Sequence, residues 1–289
     1  MSHLHWGQPT TVEEVVESAQ AIGAFPASAQ RIREVADNPE ASLIDLERVV
    51  AADPAVTAVV LRVANSAFFG LPRSVVSVKE ALLVLGFNAT KELALSIALI
   101  GGLRSRDPLG NRLWSTALRT GAASQLIGSR LRGVDRRGLF VAGLLHEIGA
   151  LILLKVYGRP YATHLQRLHA MPAELMSEER ATMGFDHPTV GGACLARWYI
   201  PPPISGPVRW HGAVVSDPDM VPDEVVEGAS AVHLARRLQA ELAKGLSPRD
   251  AADRIASDPV ARRIGLAPLD LEHAAEHLPE EVSRLVSLG

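Results

Sequence analysis

The run Gly138 to Gly158, GLFVAGLLHEIGALILLKVYG, is the most apolar part of the chain, and a His-Glu pair, His146 and Glu147, sits in its middle. Such a segment belongs in the driest part of a core, where two polar side chains cost free energy unless they have partners. Gly143 and Gly149 bracket the pair, and each weakens a helix by roughly 1 kcal/mol relative to alanine. Three readings stand: a metal site, the remnant of one, or a packing requirement. The run approaches the length of a membrane span, but its centre would then hold His146 and Glu147, where a charge costs about 2.5–3.5 kcal/mol on insertion scales. It reads as a buried helical segment.

The rest of the sequence is written in helix starts. Thr11-x-x-Glu14, Ser42-x-x-Asp45 and Ser77-x-x-Glu80 have capping-box spacing, and Asp53-Pro54 and Asp107-Pro108 join a cap residue to a proline at the first helical position. Gly86 closes the helix opened at Ser77, and Ile200-Pro-Pro-Pro is a firm stop. No Asn-Gly or Asp-Gly dipeptide lies between alternating apolar runs, so hairpins have no support, and the apolar period near 3.6 favours helix over strand. The fold class is all-α, a multi-helix bundle. The weakest seam is Gly101 to Asp107, GGLRSRD. It divides the chain into a tail (1–14), an N-terminal helical lobe (15–105), a second helical lobe (106–240) and a C-terminal helical extension (241–289).

Composition narrows the function classes. The 289 residues carry a net charge of −3, which argues against broad electrostatic capture of nucleic acid. One cysteine, Cys194, permits no intramolecular disulfide. With no basic n-region and apolar h-region at the N-terminus, a cytoplasmic location without membrane attachment is expected. Cys194 reads as a small core residue, since no His or Asp arrangement nominates it as a nucleophile. There is no Gly-rich phosphate loop, no GxSxG and no Cys-based zinc signature.

His146-Glu147 in GLLHEIG resembles the His-Asp doublet of the HD superfamily of metal-dependent phosphohydrolases. The rest of the chain resembles the HDOD domain, a divergent branch related to the HD-GYP phosphodiesterases. The likeness takes in Phe25-Pro26, Asp53-Pro54, LRVANSAFFG (61–70), VKEALLVLGF (78–87), Leu113-Trp114, GLLHEIG (143–149), FDHPTVGG (185–192) and Arg197-Trp198 followed by prolines. It implies an HD-like bundle over residues 106–240. A hydrolytic metal wants neutral imidazoles and carboxylates from several helices, with open positions for water and phosphate. His146, Glu147, His187 and His211 match ligand positions of the resemblance. Thr116, Gly212 and Arg236 stand where further ligands are expected, and a cation at 236 repels a metal ion.

Plainer readings stand beside these. His146 also fits a buried histidine bonded to Glu147, another helix or a backbone carbonyl. Asp186-His187-Pro188 also fits a helix cap with Pro188 at the first position, and His211 a groove residue. Asn65-Ser66 fits a helix end that ties the following loop; with Phe68 and Phe69 it is also a candidate partner-binding loop. Arg130, Arg132, Arg136 and Arg137 cluster around Gly133, a solvated loop or a surface for an acidic partner.

The expectation is a non-enzymatic bacterial signalling or regulatory module, a pseudoenzyme acting through a protein partner and needing no cofactor. The alternatives are a residual phosphohydrolase or phosphodiesterase on nucleotides, and an effector that binds a nucleotide or cyclic dinucleotide without turnover.

Overall fold

A computed structural model of the chain describes residues 11–21, 25–66, 71, 73–104, 108–131, 134–168 and 171–286. Among the described residues all regular structure is helical. In chain order the helices are α1 (Val12–Ala21), α2 (Ala27–Ala36), α3 (Leu43–Ala51), α4 (Pro54–Ala64), α5 (Val78–Leu85), α6 (Phe87–Leu103), α7 (Pro108–Gly128), α8 (Arg136–Leu145) and α9 (Ile148–Tyr157). They continue as α10 (Arg159–Leu168), α11 (Pro172–Met183), α12 (His187–Arg197), α13 (Pro202–Trp210), α14 (Ala213–Ser216), α15 (Asp223–Ala243), α16 (Pro248–Ala256), α17 (Pro259–Arg263) and α18 (Pro268–Val286). The all-α reading is correct.

Local chemistry sets most of the starts. Thr11 and Glu14 close a reciprocal capping box at 3.2 Å in each direction, as do Ser42 and Asp45. Asp53 accepts from the backbone N–H of Ala55 and Val56, and Ser77 and Ser247 accept from Glu80 and Asp250. Gly86 turns the chain between α5 and α6 at φ 83°, where a β-carbon would be strained.

The chain forms two compact units: a larger one from Met1–Ala24 and Ser105–His277, and a smaller one from Phe25–Arg104 and Leu278–Gly289. One break lies inside the Gly101–Asp107 seam. The two units divide the chain differently from the other sequence boundaries: α1 packs on α9 and α12 in the larger unit, and residues 241–289 are divided between the two. Side-chain periodicity marks a helix but does not say which core its apolar face joins.

In the smaller unit Asn65 holds the end of α4 to the start of the next element. Its amide donates to the carbonyls of Leu61 and Val75, both at 2.8 Å, and its oxygen accepts from the Val75 N–H at 2.7 Å. Ser66 beside it is buried. Phe68, Phe69 and Arg132 lie outside the described residues.

In the larger unit the apolar run is two helices, α8 and α9, broken at His146-Glu147. It is apolar enough to pass for a bilayer span, yet most of it is buried in the protein, against α7, α12, α13 and α15. The bracketing glycines explain its packing. A β-carbon on Gly149 would lie 1.8 Å from the His187 carbonyl oxygen, so α9 and α12 touch backbone to backbone. A β-carbon on Gly143 would lie 2.8 Å from both the Gly121 α-carbon and the Thr120 carbonyl on α7. The helical cost of these glycines is set against a close approach that no other residue permits.

Candidate functional site

The break between α8 and α9 leaves His146 at the end of one helix and Glu147 before the next, both in the interior. His146 is 0% exposed and Glu147 2%. The tight α9–α12 contact brings in His187 from the first turn of α12, and α13 ends at His211. The His146 and His211 ring centroids are 5.7 Å apart, and those of His187 and His211 6.1 Å. The four residues singled out in the sequence therefore meet in one place between α8, α9, α12 and α13.

Each imidazole is oriented in the same way. His146 Nδ1 donates to the Gly143 carbonyl at 2.7 Å, and His211 Nδ1 to the Val208 carbonyl at 2.8 Å. A carbonyl can only accept, so both rings carry the proton on Nδ1 and leave Nε2 with its lone pair. His187 Nδ1 donates to Glu179 Oε2 at 2.8 Å. Glu179, 0% exposed on α11, also accepts from the His187 backbone N–H at 2.9 Å and from the Tyr161 hydroxyl at 2.6 Å. Three bonds offset the desolvation of this carboxylate.

Asp186 caps α12 as expected, accepting from the Thr189 N–H at 3.1 Å and its hydroxyl at 2.6 Å. His187 takes the first helical position and Pro188 the second, one residue later than the sequence reading.

His146 Nε2 lies 3.4 Å from Glu147 Oε1 and has no hydrogen-bond partner. Facing that carboxylate from α15 is Arg236, 5% exposed, with Nη2 2.7 Å from Glu147 Oε1. The residue read as a lost ligand is thus the counter-charge of Glu147. Thr116 is buried on α7, which packs against α8 and α15. Gly212 follows His211, and a β-carbon there would lie 2.5 Å from Met176 Sδ, so a side chain at 212 needs Met176 to move. Among the described residues no group of three or more His, Cys, Asp or Glu has the geometry to hold a metal ion. The side chains present do not fit a hydrolytic centre, because a guanidinium lies against the carboxylate that would bind the metal.

The cluster opens into a cleft of about 370 Å³, reached by His187 and His211 and lined by Arg180, Arg237 and Lys244 with the apolar Met171, Met176 and Val215. These cations have partners of their own. Arg180 pairs with Asp186, Arg237 and His233 with Asp258, and Lys244 with Glu241. Cys194 is buried, and burial pushes its thiol up to about 12, which fits a core residue.

Sequence reasoning missed Glu179 and Tyr161. A signal was present: Leu175, Met176 and Glu179 share one face of α11, so the acid lies on the buried stripe while Glu178 faces outward.

The titration of the cluster has a definite sign. Burial holds the His211 imidazole well below the ordinary histidine range, helped by His146, His187 and His233. Burial also lowers His146, against the pull of Glu147, and His164, against the pull of Glu179. At His187 burial acts downward too, but Glu179, Glu147 and Asp186 together outweigh it and the ring is raised. A histidine kept neutral by the fold takes up its proton on unfolding, so its stabilisation is present above about pH 6.5 and is lost as pH falls below that value. His187 runs the other way: its contribution is present below about pH 6.5 and is lost as pH rises through its folded pKa. His146, His164 and His211 outnumber it, so the melting temperature falls as pH goes from about 7.5 to about 5. Circular-dichroism melts across that range check this; a flat or rising profile contradicts it.

Residues 22–214 match the family model of the HDOD domain. The match stops short of α15, the helix that carries Arg236. A protein from Treponema pallidum (strain Nichols) with no characterised role is 25% identical over 203 residues, which is 68% of this chain and 39% of that protein. The chain thus spans well under half the length of this curated relative. Two crystal structures are similar in fold. One, from Shewanella amazonensis SB2B and provisionally named a phosphohydrolase, has a TM-score of 0.70 at 19% identity and covers 98% of this chain and 99% of that one. The other, an HDOD domain protein of unknown function from Geobacter sulfurreducens, has a TM-score of 0.66 at 18% identity, covering 96% and 99%.

Proposed function

The chain belongs to the HDOD domain family, and from that premise we propose that it is a regulatory signalling module that acts through a protein partner and not by turnover. The observation that carries this reading is Arg236 against Glu147 at 2.7 Å inside the histidine cluster. Metal-dependent hydrolysis needs a cation with open coordination positions at that carboxylate, and a guanidinium supplies charge without any. The resemblance to HDOD modules supports a role in signal transduction, and so a function carried by contacts with another protein.

Arg136 and Arg137 supply a candidate surface. Both are exposed in the first turn of α8, where cations work against the helix dipole, and Asp135 caps the same end from the Arg137 N–H at 3.0 Å. A partner with an acidic patch relieves that opposition. The second reading, an effector that binds a nucleotide or cyclic dinucleotide without turnover, draws on the cleft, where Arg180, Arg237 and Lys244 stand beside an apolar wall.

Metal analysis of the purified protein with a phosphodiester panel is the test of the first reading. The expected result is no stoichiometric metal and no turnover. Stoichiometric Mn, Fe or Zn with turnover lost in His146→Ala overturns it. A partner captured by the wild type and lost in the double variant Arg136→Glu, Arg137→Glu places the contact. Nucleotide titration that gives heat favours the effector.

A further inference from the structure

We propose that the cleft between α11 and α15 binds a small amphipathic acid, with a neutral hydroxyl at its inner end, an apolar body and one carboxylate at its mouth. This goes beyond both readings above and is compatible with a module that turns nothing over.

The cleft is graded from floor to rim. His187 and His211 line it and are buried, whereas the side chains of Arg180, Arg237 and Lys244 are 40–55% exposed, so imidazoles form the floor and cations the rim. At the floor, His211 donates from Nδ1 to the Val208 carbonyl at 2.8 Å, and its Nε2 has no hydrogen-bond partner among the described residues. A lone pair held there by the backbone calls for a donor. Arg236, buried and also lining the cleft, repels an ammonium group, so the donor that fits is a neutral hydroxyl.

Above the floor, Met171, Met176 and Val215 offer an apolar side, and methionine adapts to either an aliphatic or an aromatic body. The volume of about 370 Å³ is on the scale of a small-molecule site. At the rim, pairing does not exhaust the cations. Arg180 and Arg237 each give their carboxylate partner one nitrogen, Nη1, with Nε and Nη2 outside the pair. Glu241 is shared by Lys244 and Arg254, which leaves one positive charge over. Glu174 lines the cleft too, and an acid there opposes a ligand with several negative charges. The rim therefore suits one carboxylate better than a polyphosphate. Arg237 and Lys244 lie on α15, beyond residues 22–214, so the family match does not supply this part of the site.

The test is calorimetric titration of the full chain with 8-hydroxyoctanoate and two analogues: octanoate, which lacks the hydroxyl, and 1,8-octanediol, which lacks the carboxylate. The pair 4-hydroxycinnamate and cinnamate supplies a rigid aromatic body. One hydroxy acid or both should bind, one per chain, and each analogue that lacks a polar end should bind at least tenfold more weakly. Lys244→Gln should weaken the hydroxy acid threefold or more at low salt. That variant leaves Glu241 its pair with Arg254, so the fold is kept.

Octanoate or cinnamate that binds as tightly as its hydroxy counterpart removes His211 from recognition and overturns the inference. Equal affinity in wild type and Lys244→Gln overturns it, as does the absence of heat from both hydroxy acids. Adenosine monophosphate or a cyclic dinucleotide that binds where neither hydroxy acid does overturns it in favour of the nucleotide effector.

Discussion

Gly149→Ala lowers the stability of the larger unit by about 3 kcal/mol or more, at the upper end of what overpacking costs. The atoms in the way are backbone. The new β-carbon would lie 1.8 Å from the His187 carbonyl oxygen, 2.7 Å from the Gly191 nitrogen and 2.8 Å from the His187 carbonyl carbon. No rotamer change relieves such contacts, so α9 and α12 must separate. Helix propensity predicts the opposite sign, a gain of about 1 kcal/mol for alanine, which makes the experiment decisive. Urea denaturation gives the answer directly: a variant as stable as the wild type means that the helices do not touch as described. Gly143→Ala is expected to cost less, because its closest contact, at 2.6 Å, is the movable Ser124 hydroxyl, though Gly121 and Thr120 at 2.8 Å still resist.

Glu179→Ala has an effect of similar size for a different reason. It strips the Tyr161 hydroxyl, the His187 backbone N–H and His187 Nδ1 of their common acceptor, all within the buried interior. Leaving buried donors unsatisfied costs about 1–3 kcal/mol each, with partial relief by relaxation, so a loss of about 3–5 kcal/mol is expected. Glu179→Gln should cost only about 1–2 kcal/mol. Its carbonyl oxygen can serve the two His187 donors, and its amide can donate to a Tyr161 hydroxyl that has rotated to accept. Urea midpoints of the two variants separate the hydrogen-bond account from a pure charge account. Equal losses for glutamine and alanine count against the hydrogen bonds, and a loss below about 1 kcal/mol for alanine removes Glu179 from the network altogether.

The sequence revealed those parts of the structure that are decided within a few residues. Thr11 with Glu14, Ser42 with Asp45, and Asp53 and Ser77 with the N–H groups after them are local hydrogen bonds, so their spacing alone locates the helix starts. His146, Glu147, His187 and His211 were legible because histidine and glutamate in an apolar setting demand an explanation, and the family pattern connected them. Glu179 sits in MSEER, which reads as a solvated helical face until it is noticed that Leu175 and Met176 share its side. Arg236 was read as an absent ligand because its meaning depends on Glu147, a residue far away in sequence. The reason for Gly143 and Gly149 was hidden in the same way: a close approach requires two helices, and a sequence displays one at a time.

The order in which the chain visits its two units has a genetic consequence. It contributes α1 to the larger unit, builds the smaller one from Phe25–Arg104, returns for Ser105–His277, and gives Leu278–Gly289 back to the smaller. Arg62 secures that last visit by donating from Nη1 to the Leu285 carbonyl at 3.0 Å. Neither unit therefore corresponds to one uninterrupted stretch of coding sequence. Recombination cannot carry off one unit and leave the other intact, and a frameshift or stop in the α18 codons injures the core encoded nearest the other end of the sequence. The two units are inherited, exchanged and lost as one.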